Sequence, residues 1–467
     1  MRRSRLALLH FPMLCGLALS AACYHGNKGG TSGRNPSLNS GPFLSGQAPD
    51  LSRVYQSMGL IASTGQIPFV GSVSFLAGLT PDTTLMLLAV SLPSNSLSFQ
   101  RVNEQYAANY TVRVELRQGT NVVQQWDAKE SVRVPTFKET ARTDESVIWQ
   151  QYLRVAPGEY SLTVGLKDDA VIRNSAQEVA IVVPRVGAGE LSSPIPVYEA
   201  IARSRVDSLP RMLARPRSSV SFATDSILPI YLEATRVSTP TLVNATLSAE
   251  GNTVVWRDSL TIAPNGGSVT SRMLSIPVKK MGIGVVTLKV ARAGTNDTVR
   301  TRLFVTLGDD LPIASFEEML RYLKYFASTE KLKMLRDATP ANRPQAWADF
   351  LKATDPVPAT SENEGLRDYF NRIRTANVRF HDDAVVGWQS DRGTAFVGLG
   401  EPDRIYDAPI VDPMARSRQQ VWEYTGDVRV QLVFVDNGGL GRFRLSSSGV
   451  NELEAAIRRK ISLARTP

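Results

Sequence analysis

The stretch Val386–Asp403, VGWQSDRGTAFVGLGEPD, is the part of the chain where glycine, tryptophan, charged and proline residues are grouped most densely. After Asp391 the pattern predicts a return to strand structure, beginning with Thr394–Leu399. The stretch closes with the turn Glu401-Pro402-Asp403. Its glycines are expected to supply turns, bulges or close backbone approach, and they are Gly387, Gly393, Gly398 and Gly400.

This stretch resembles the signature of the GWxTD-domain family of bacterial envelope proteins, and the resemblance covers about 371–448. Ser390 stands where the family name has Thr, so the hydroxyl is kept and a methyl group is lost. The resemblance implies a cell-envelope protein, but it supplies no catalytic residues because the family has no agreed activity. The matching residues are Gly387, Trp388, Asp391, Arg392, Gly393, Gly400, Pro402 and Asp403.

The sequence alone allows two interpretations of Asp391 and Trp388. In a binding site, Asp391 accepts hydrogen bonds from a ligand and Trp388 stacks on a sugar or a peptide. In a structural motif, Asp391 binds backbone N–H groups of its own turn and Trp388 fills the core. Gly398-Leu399-Gly400 lacks a third glycine and a following helix, so it argues against a phosphate-binding loop.

Upstream of the signature, the apolar spacing predicts a helical segment over residues 309–375. One helix is indicated by Phe316, Met319, Leu320 and Leu323, and another by Pro344–Ala353. A third helix is expected after a capping box with Ser361 and Glu364, and its apolar face continues to Ile373.

Downstream, residues 376–467 are predicted to form an α+β domain with an antiparallel meander. Asn437-Gly438 indicates a tight turn between the last two strands, and Glu452–Leu463 is predicted to be a terminal helix. The strands expected after the signature are Gln419–Tyr424, Arg429–Val435 and Arg442–Leu445.

Two immunoglobulin-like β-sandwich modules are predicted before the helical segment, over residues 51–190 and 218–308. In the first module Tyr110–Leu116 alternates apolar and polar residues, Val147–Val155 is another strand, and Glu178–Val183 closes the module. A connector is predicted over residues 191–217. The strands of the second module are expected at Ile227–Ala234, Thr241–Ala249, Thr253–Leu260, Arg272–Pro277, Ile283–Ala291 and Thr298–Val305.

The N-terminus has the pattern of an export signal. Arg2, Arg3 and Arg5 precede an apolar run, and small residues lead to Cys23, so residues 1–22 are predicted to be a signal peptide. The small residues before Cys23 resemble a lipoprotein cleavage box, in which Cys23 is lipidated and tethers the chain to a membrane. Residues 23–50 are rich in Gly, Ser and Asn and are predicted to be a flexible tether.

Cysteine content and charge limit the classes of function. The only other cysteine, Cys15, lies in the predicted signal, so the mature chain would hold no disulfide and no cysteine-based metal site. Removing the three signal arginines from a formal charge of +9 leaves +6. This balance could favour anionic lipid or cell-wall surfaces, although a solvated basic surface is the simpler interpretation. Nucleic acid is not an expected partner, because no helix combines a basic stripe with aromatic residues.

Few residues suggest catalysis, and no metal or other cofactor is expected. The chain has no Gly-x-Ser-x-Gly elbow and no His-Glu-x-x-His motif. His381, beside Asp382 and Asp383, would have to act as the single histidine of any catalytic or metal site. A two-carboxylate hydrolase stays open, since spacing in sequence does not fix the separation of carboxylates in space.

We therefore expect a non-enzymatic cell-envelope lipoprotein whose C-terminal domain binds a ligand or an envelope protein partner. The expected location is the outer membrane, facing the periplasm or the surface, or a secreted or periplasmic state without the lipid. The alternative is an envelope hydrolase or carbohydrate-active enzyme that uses carboxylates of the C-terminal domain.

Overall fold

The computed structural model describes residues 51–142, 147–222, 225–306, 315–359, 363–380, 385–407 and 417–463. The predicted signal peptide, Cys23 and all of the predicted tether lie outside these residues, and so do Ser361 and His381-Asp382-Asp383. The fold is mainly β, with several sheets, a short helical segment and a C-terminal α+β region, as the sequence predicts.

The first module is a β-sandwich preceded by a short helix that the sequence analysis missed. Its first sheet has the order β1-β2-β3-β7; its second has the order β4-β5-β8-β9, and β6 pairs with β5. The predicted strand Val147–Val155 is confirmed. The elements are α1 Leu51–Ser57, β1 Ile61–Ser63, β2 Phe69–Ala77, β3 Thr84–Leu92, β4 Gln100–Val102, β5 Gln105–Gln118, β6 Asn121–Val134, α2 Phe137–Thr140, β7 Val147–Val155, β8 Gly158–Asp168 and β9 Asn174–Val183.

Alternation along β5 builds the core of this sandwich. Tyr110, Val112, Val114 and Leu116 are buried between the two sheets, where they join apolar residues of β3 and β8. The Tyr160 hydroxyl donates to the Ala156 carbonyl at 3.0 Å, which ties the start of β8 to the preceding turn. This is the tyrosine-corner arrangement of immunoglobulin-like sandwiches.

The second module is also a sandwich, and it includes most of the predicted connector. Its sheets have the orders β11-β10-β13-β16 and β12-β18-β17-β14-β15. The connector prediction is corrected here, because β10 and β11 are strands and β10 pairs with β13. The strands are β10 Ile195–Ile201, β11 Arg211–Ala214, β12 Ser219–Ser221, β13 Ile227–Thr235, β14 Thr241–Ser248, β15 Val254–Ile262, β16 Val269–Pro277, β17 Gly284–Arg292 and β18 Thr298–Thr306.

The two sandwiches share an apolar interface through strand β3. Every residue of β3 is buried, whereas a strand with one wet face would alternate. Met86 and Leu88 belong to the core of the first sandwich. Leu85 and Leu87 pack instead in a cluster with Ile195 and other apolar residues of β10, β11 and β13. The sheet that contains β3 is therefore covered on both faces.

A buried ion pair lies at the same interface. The Arg203 guanidinium donates to both carboxylate oxygens of Glu233, at 2.7 and 2.8 Å, and to the Ala77 carbonyl of β2 at 3.4 Å. The Tyr231 hydroxyl also donates to Glu233, at 2.6 Å. Burial alone would lower the pKa of Arg203, but the contact with Glu233 raises it. Arg203 thus stays charged, and its hydrogen bond to Ala77 links the two sandwiches.

The helices and the C-terminal sheet share one core. Aromatic residues dominate it, and they include Trp347, Tyr369, Trp388 and Trp422. The last sheet has the order β19-β20-β21-β22. The elements are α3 Phe316–Tyr322, α4 Thr329–Asp337, α5 Arg343–Thr354, α6 Glu364–Arg379, α7 Asp391–Leu399, β19 Arg404–Asp407, β20 Arg418–Tyr424, β21 Val430–Asp436, β22 Arg444–Leu445 and α8 Ser447–Leu463.

One local prediction for the C-terminal region is wrong, because the predicted strand Thr394–Leu399 belongs to helix α7. The predicted turn at Asn437-Gly438 is present after β21, but it does not close a two-residue hairpin. Val435 pairs with Arg444, so a longer loop joins β21 to β22. The N-cap of α6 is Asn363, whose side chain accepts a hydrogen bond from the Leu366 N–H at 2.8 Å.

Candidate functional site

Ser390 is the residue that starts helix α7. Its hydroxyl accepts a hydrogen bond from the Gly393 N–H at 3.1 Å and donates one to the Gly387 carbonyl at 2.7 Å. The side chain is buried, so both bonds form away from water. A serine at this position satisfies one of the free N–H groups at the helix start. The hydroxyl that Ser shares with Thr is thus used in capping.

Gly387 and Gly393 lie where backbones approach closely. A Cβ on Gly387 would lie 2.2 Å from the Ala376 carbonyl oxygen in α6, and one on Gly393 would lie 1.8 Å from the Gly387 carbonyl oxygen. Backbone atoms cannot move aside as a flexible side chain does. The first turn of α7, the 3₁₀ turn Gly387–Gln389 and α6 therefore pack without room for side chains, and the expectation of close approach is met.

Trp388 lies in the core and does not form an open stacking platform. Its side chain is 7% exposed and stacks on Tyr322 of α3, with ring centroids 5.1 Å apart and an interplanar angle of 27°. The backbone N–H of Trp388 donates a hydrogen bond to the Asn377 side-chain oxygen in α6 at 3.0 Å. Trp388 thus joins the signature to two helices of the preceding segment.

Asp391 and Arg392 bind parts of the chain that are distant in sequence. The Asp391 carboxylate accepts the Leu445 N–H of β22 at 2.6 Å, and not the N–H groups of its own turn. The Arg392 guanidinium lies 4.2 Å from the ring centroid of Phe443 and 5.4 Å from that of Phe380. Burial lowers the pKa of Arg392, as expected for a cation held between rings. Both side chains attach α7 to the end of the sheet.

The C-terminal end of α7 is held by cations that the sequence analysis did not single out. Arg372 of α6 donates to the Val397 carbonyl at 3.0 Å, and Lys460 of α8 donates to the Leu399 carbonyl. Burial lowers the pKa of both. Cations at a helix C-terminus oppose the partial negative charge of its carbonyls. Gly400 ends the helix with a φ of +94°, a conformation that favours glycine.

The turn after α7 is closed by Pro402 and Asp403. Pro402 is buried. The Asp403 carboxylate accepts hydrogen bonds from the Thr425 N–H at 2.6 Å and from the Thr425 hydroxyl at 2.8 Å. The two bonds from Thr425 lower the pKa of Asp403. Asp403 therefore joins the start of β19 to the turn after β20.

Asp436 organises the loop between β21 and β22, and it was missed in the sequence. Its carboxylate accepts N–H groups of Gly438, Leu440 and Gly441 at 3.3, 3.2 and 2.7 Å. Burial would raise the pKa of Asp436, but these backbone N–H groups outweigh it and lower the pKa. An Asp before a glycine-rich turn is a signal for this arrangement, because its side chain can mimic a backbone turn.

Two spaces in the described part of the chain lie away from the signature. A groove of about 420 Å³ lies between α4 and α8, and a cavity of about 210 Å³ lies between the second sandwich and helices α3 and α5. The structure places neither space at Trp388 or Asp391, where the sequence had suggested a binding groove. The groove is lined by residues of both helices, among them Leu332, Arg336, Ile457, Arg458 and Ile461.

Within the described residues, His, Cys, Asp and Glu side chains form no group of three or more arranged to hold a metal ion. His381, Asp382 and Asp383 lie outside those residues, so the structure does not test that candidate. Among the helices that the structure describes, none is both long and apolar enough to cross a membrane.

Comparison with protein families matches residues 288–438 to the GWxTD domain. The match begins inside β17 and ends in the loop after β21, so it covers the helical segment as well as the signature. This agrees with the single core that the helices share with the C-terminal sheet. No curated protein matches the chain.

Proposed function

Because the chain is a GWxTD domain-containing protein, we propose that it acts as a non-enzymatic lipoprotein of the cell envelope. Cys23 carries the lipid anchor, and the C-terminal domain binds a protein partner. The sandwiches hold this domain at a fixed position relative to the start of the tether.

One observation carries the proposal: the polar groups of the signature are used to hold the fold. Ser390 caps α7, Asp391 binds the backbone of β22, and Asp403 binds Thr425. A catalytic acid, base or nucleophile must reach a reacting atom of a substrate. Carboxylates already bonded to backbone N–H groups within the core and its turns suit a framework better than a reaction centre.

The groove between α4 and α8 is the surface best suited to a partner. Its base is apolar, with Leu332 and Ile457 buried and Ile461 packed against the core. Charged side chains border it, including the exposed Arg336 and Arg458. An apolar centre with a polar rim is the usual composition of protein interfaces. The rim also contains Glu330 and Glu454, and Glu454 pairs with Arg458. A peptide or helix with apolar anchors and flanks of mixed charge would fit this arrangement.

The anchor is tested by intact mass and membrane fractionation of the native protein and of Cys23→Ala. We expect an acyl mass shift and membrane partitioning in the native protein, and the loss of both in the variant. A soluble native protein of unmodified mass would overturn the anchor.

The partner site is tested by photo-crosslinking in cells, with the crosslinking residue placed at Arg336 in the groove. A matched probe at the exposed Lys129 of the first sandwich serves as the control. We expect one discrete crosslinked protein from position 336 and none from position 129. Identical patterns from both positions, or no product from the groove, would contradict the partner site.

A further inference from the structure

One face of the second sandwich carries a row of cations across neighbouring strands. Thr246 of β14 pairs with Arg257 of β15 on one side and with Lys289 of β17 on the other. Lys289 in turn pairs with Arg300 of β18. Directly paired residues of antiparallel strands project from the same face of a sheet. Arg302, two residues after Arg300, projects from that face as well.

This face is the solvent side of the sheet. The alternate residues Leu247, Leu288 and Val290 are fully buried in the core of the sandwich. The cations on the opposite side are all exposed. We name this surface the cationic face, and its residues are Arg257, Lys289, Arg300 and Arg302.

The described strands of this sheet contribute no carboxylate to the cationic face. The five strands of this sheet contain a single acidic residue, Asp258. Asp258 pairs with Ala245, which is buried in the core, so it belongs to the opposite face. Between the cations lie Thr246, Thr287 and other uncharged residues. The positive charge on this surface is therefore not balanced by acidic side chains of the same face.

The first helix of the described chain lies on the same face. The rings of Tyr55 in α1 and Phe304 in β18 are in edge contact, with centroids 6.0 Å apart. Arg302, two residues before Phe304, donates a hydrogen bond to the Ser57 carbonyl at the end of α1. The predicted tether joins the folded chain at α1, and thus beside the cationic face.

We propose that the cationic face rests on the anionic headgroups of the membrane to which the chain is anchored. This inference rests on the proposed anchor at Cys23. A flexible tether of this length spans about 30 Å on average, so the lipid would lie within reach of the face beside which the tether begins. Arginine and lysine side chains bind lipid phosphates, and each basic residue near such a surface strengthens binding roughly fivefold. The face orients the protein and points its other surfaces away from the bilayer.

The test is sedimentation with vesicles, using the chain from residue 23 onward with Cys23→Ala, so that neither a lipid nor the predicted signal peptide contributes. We expect binding to vesicles of equal parts phosphatidylethanolamine and phosphatidylglycerol, and no binding to phosphatidylcholine vesicles. Added salt should weaken the binding, because exposed charges are screened. The further substitution of Arg257→Gln, Lys289→Gln and Arg300→Gln should lower the partition coefficient about a hundredfold.

The matched control removes the same charges from the first sandwich, through Arg101→Gln, Lys129→Gln and Arg133→Gln. These three residues are exposed as well. The control should keep nearly all of the vesicle binding. Equal losses in the two triple variants, or no binding by the parent chain, would overturn the proposal. Because the parent protein carries no lipid, either result leaves the anchor itself to be decided by the mass of the native protein.

Discussion

The hydroxyl of Ser390 caps the N-terminus of helix α7, which carries part of the signature. Ser390 bonds to Gly393 ahead of it and to Gly387 behind it, so the side chain joins the 3₁₀ turn to the first turn of α7. Its two bonds explain why Ser can stand where the family has Thr, because both residues have the same donor and acceptor. The methyl group of Thr takes no part in them.

Replacing Ser390 by Ala should lower the free energy of unfolding by about 1–2 kcal/mol, since the N-cap and a buried hydrogen bond are lost. Ser390→Thr is the matched control and should remain within about 0.5 kcal/mol of the parent. Urea unfolding followed by tryptophan fluorescence measures both. Equal destabilisation by the two substitutions would show that volume, and not capping, governs this position.

Asp436 should make the C-terminal domain sensitive to acid. Its folded pKa lies below its ordinary value, so its stabilising effect is present above about pH 5 and is lost as pH falls through the folded pKa. Asp436→Asn should cost about 2 kcal/mol at neutral pH, because the amide cannot accept all three N–H groups.

The same substitution has a characteristic pH profile. The difference in unfolding free energy between the parent and Asp436→Asn should narrow below about pH 4, where this aspartate becomes protonated in the unfolded chain. It should be lost as the pH falls through the lower pKa of the folded protein. Unfolding curves at several pH values provide the measurement. A difference that stays constant from neutral to acid pH would mean that the charge of Asp436 does not support the loop.

The local sequence of helix α7 did not predict its helical structure. Thr394–Leu399 contains apolar and β-branched residues at strand-like spacing, and the two glycines of α7, Gly393 and Gly398, lower helix propensity. The structure is nevertheless helical, because the cap at Ser390, the cations of α6 and α8, and close packing outweigh that preference. Ser390 followed by Asp391 is a helix-start signal that would have supported the correct assignment.

Other elements were predictable for a definite physical reason. The sandwich strands alternate polar and apolar residues, and this periodicity depends only on neighbours in sequence, so Val147–Val155 was located correctly. The contacts of the site join distant residues, such as Trp388 with Tyr322 and Asp391 with Leu445. No local pattern encodes those pairs. The residue types were thus visible in the sequence, while their partners were not.

The packing of α7 against the 3₁₀ turn should not tolerate a side chain at Gly393. A Cβ there would lie 1.8 Å from a backbone oxygen, so Gly393→Ala should cost more than about 3 kcal/mol or prevent folding of the C-terminal domain. Gly426→Ala is the control, because a Cβ at Gly426 has open space around it. Circular dichroism and protease resistance would report the result. A folded Gly393→Ala protein of parental stability would exclude the close approach.

At the scale of the whole molecule, the two sandwiches behave as one body. The apolar cluster around Leu85 and Leu87, the ion pair of Arg203 with Glu233, and helix α1 each contact both modules. Separate modules on a flexible linker would let the C-terminal domain sample many positions. A continuous body keeps it at one distance from α1, where the predicted tether would join the fold.

Arg203→Met should weaken this connection, because it leaves the Glu233 carboxylate buried without its cation. The expected cost is about 3–5 kcal/mol, and X-ray scattering should show a larger radius of gyration if the modules separate. Arg205→Met is the control, since Arg205 and Asp207 form an exposed pair whose loss should cost less than about 1 kcal/mol. Equal effects of the two substitutions would contradict a structural role for the buried pair.

The burial of β3 on both faces also affects how the chain folds during its synthesis. A ribosome makes the strands of the first sandwich before β10 and β13, and the roughly fifty residues between the ends of β9 and β13 take on the order of 3–10 s to synthesise. During that interval Leu85 and Leu87 form an exposed apolar surface on the first sandwich. We expect chaperones that bind exposed apolar surfaces to bind the nascent chain at this stage. A fragment that ends near residue 190 should self-associate through the same surface. A protein that contains only one of the two sandwiches would expose this apolar surface permanently.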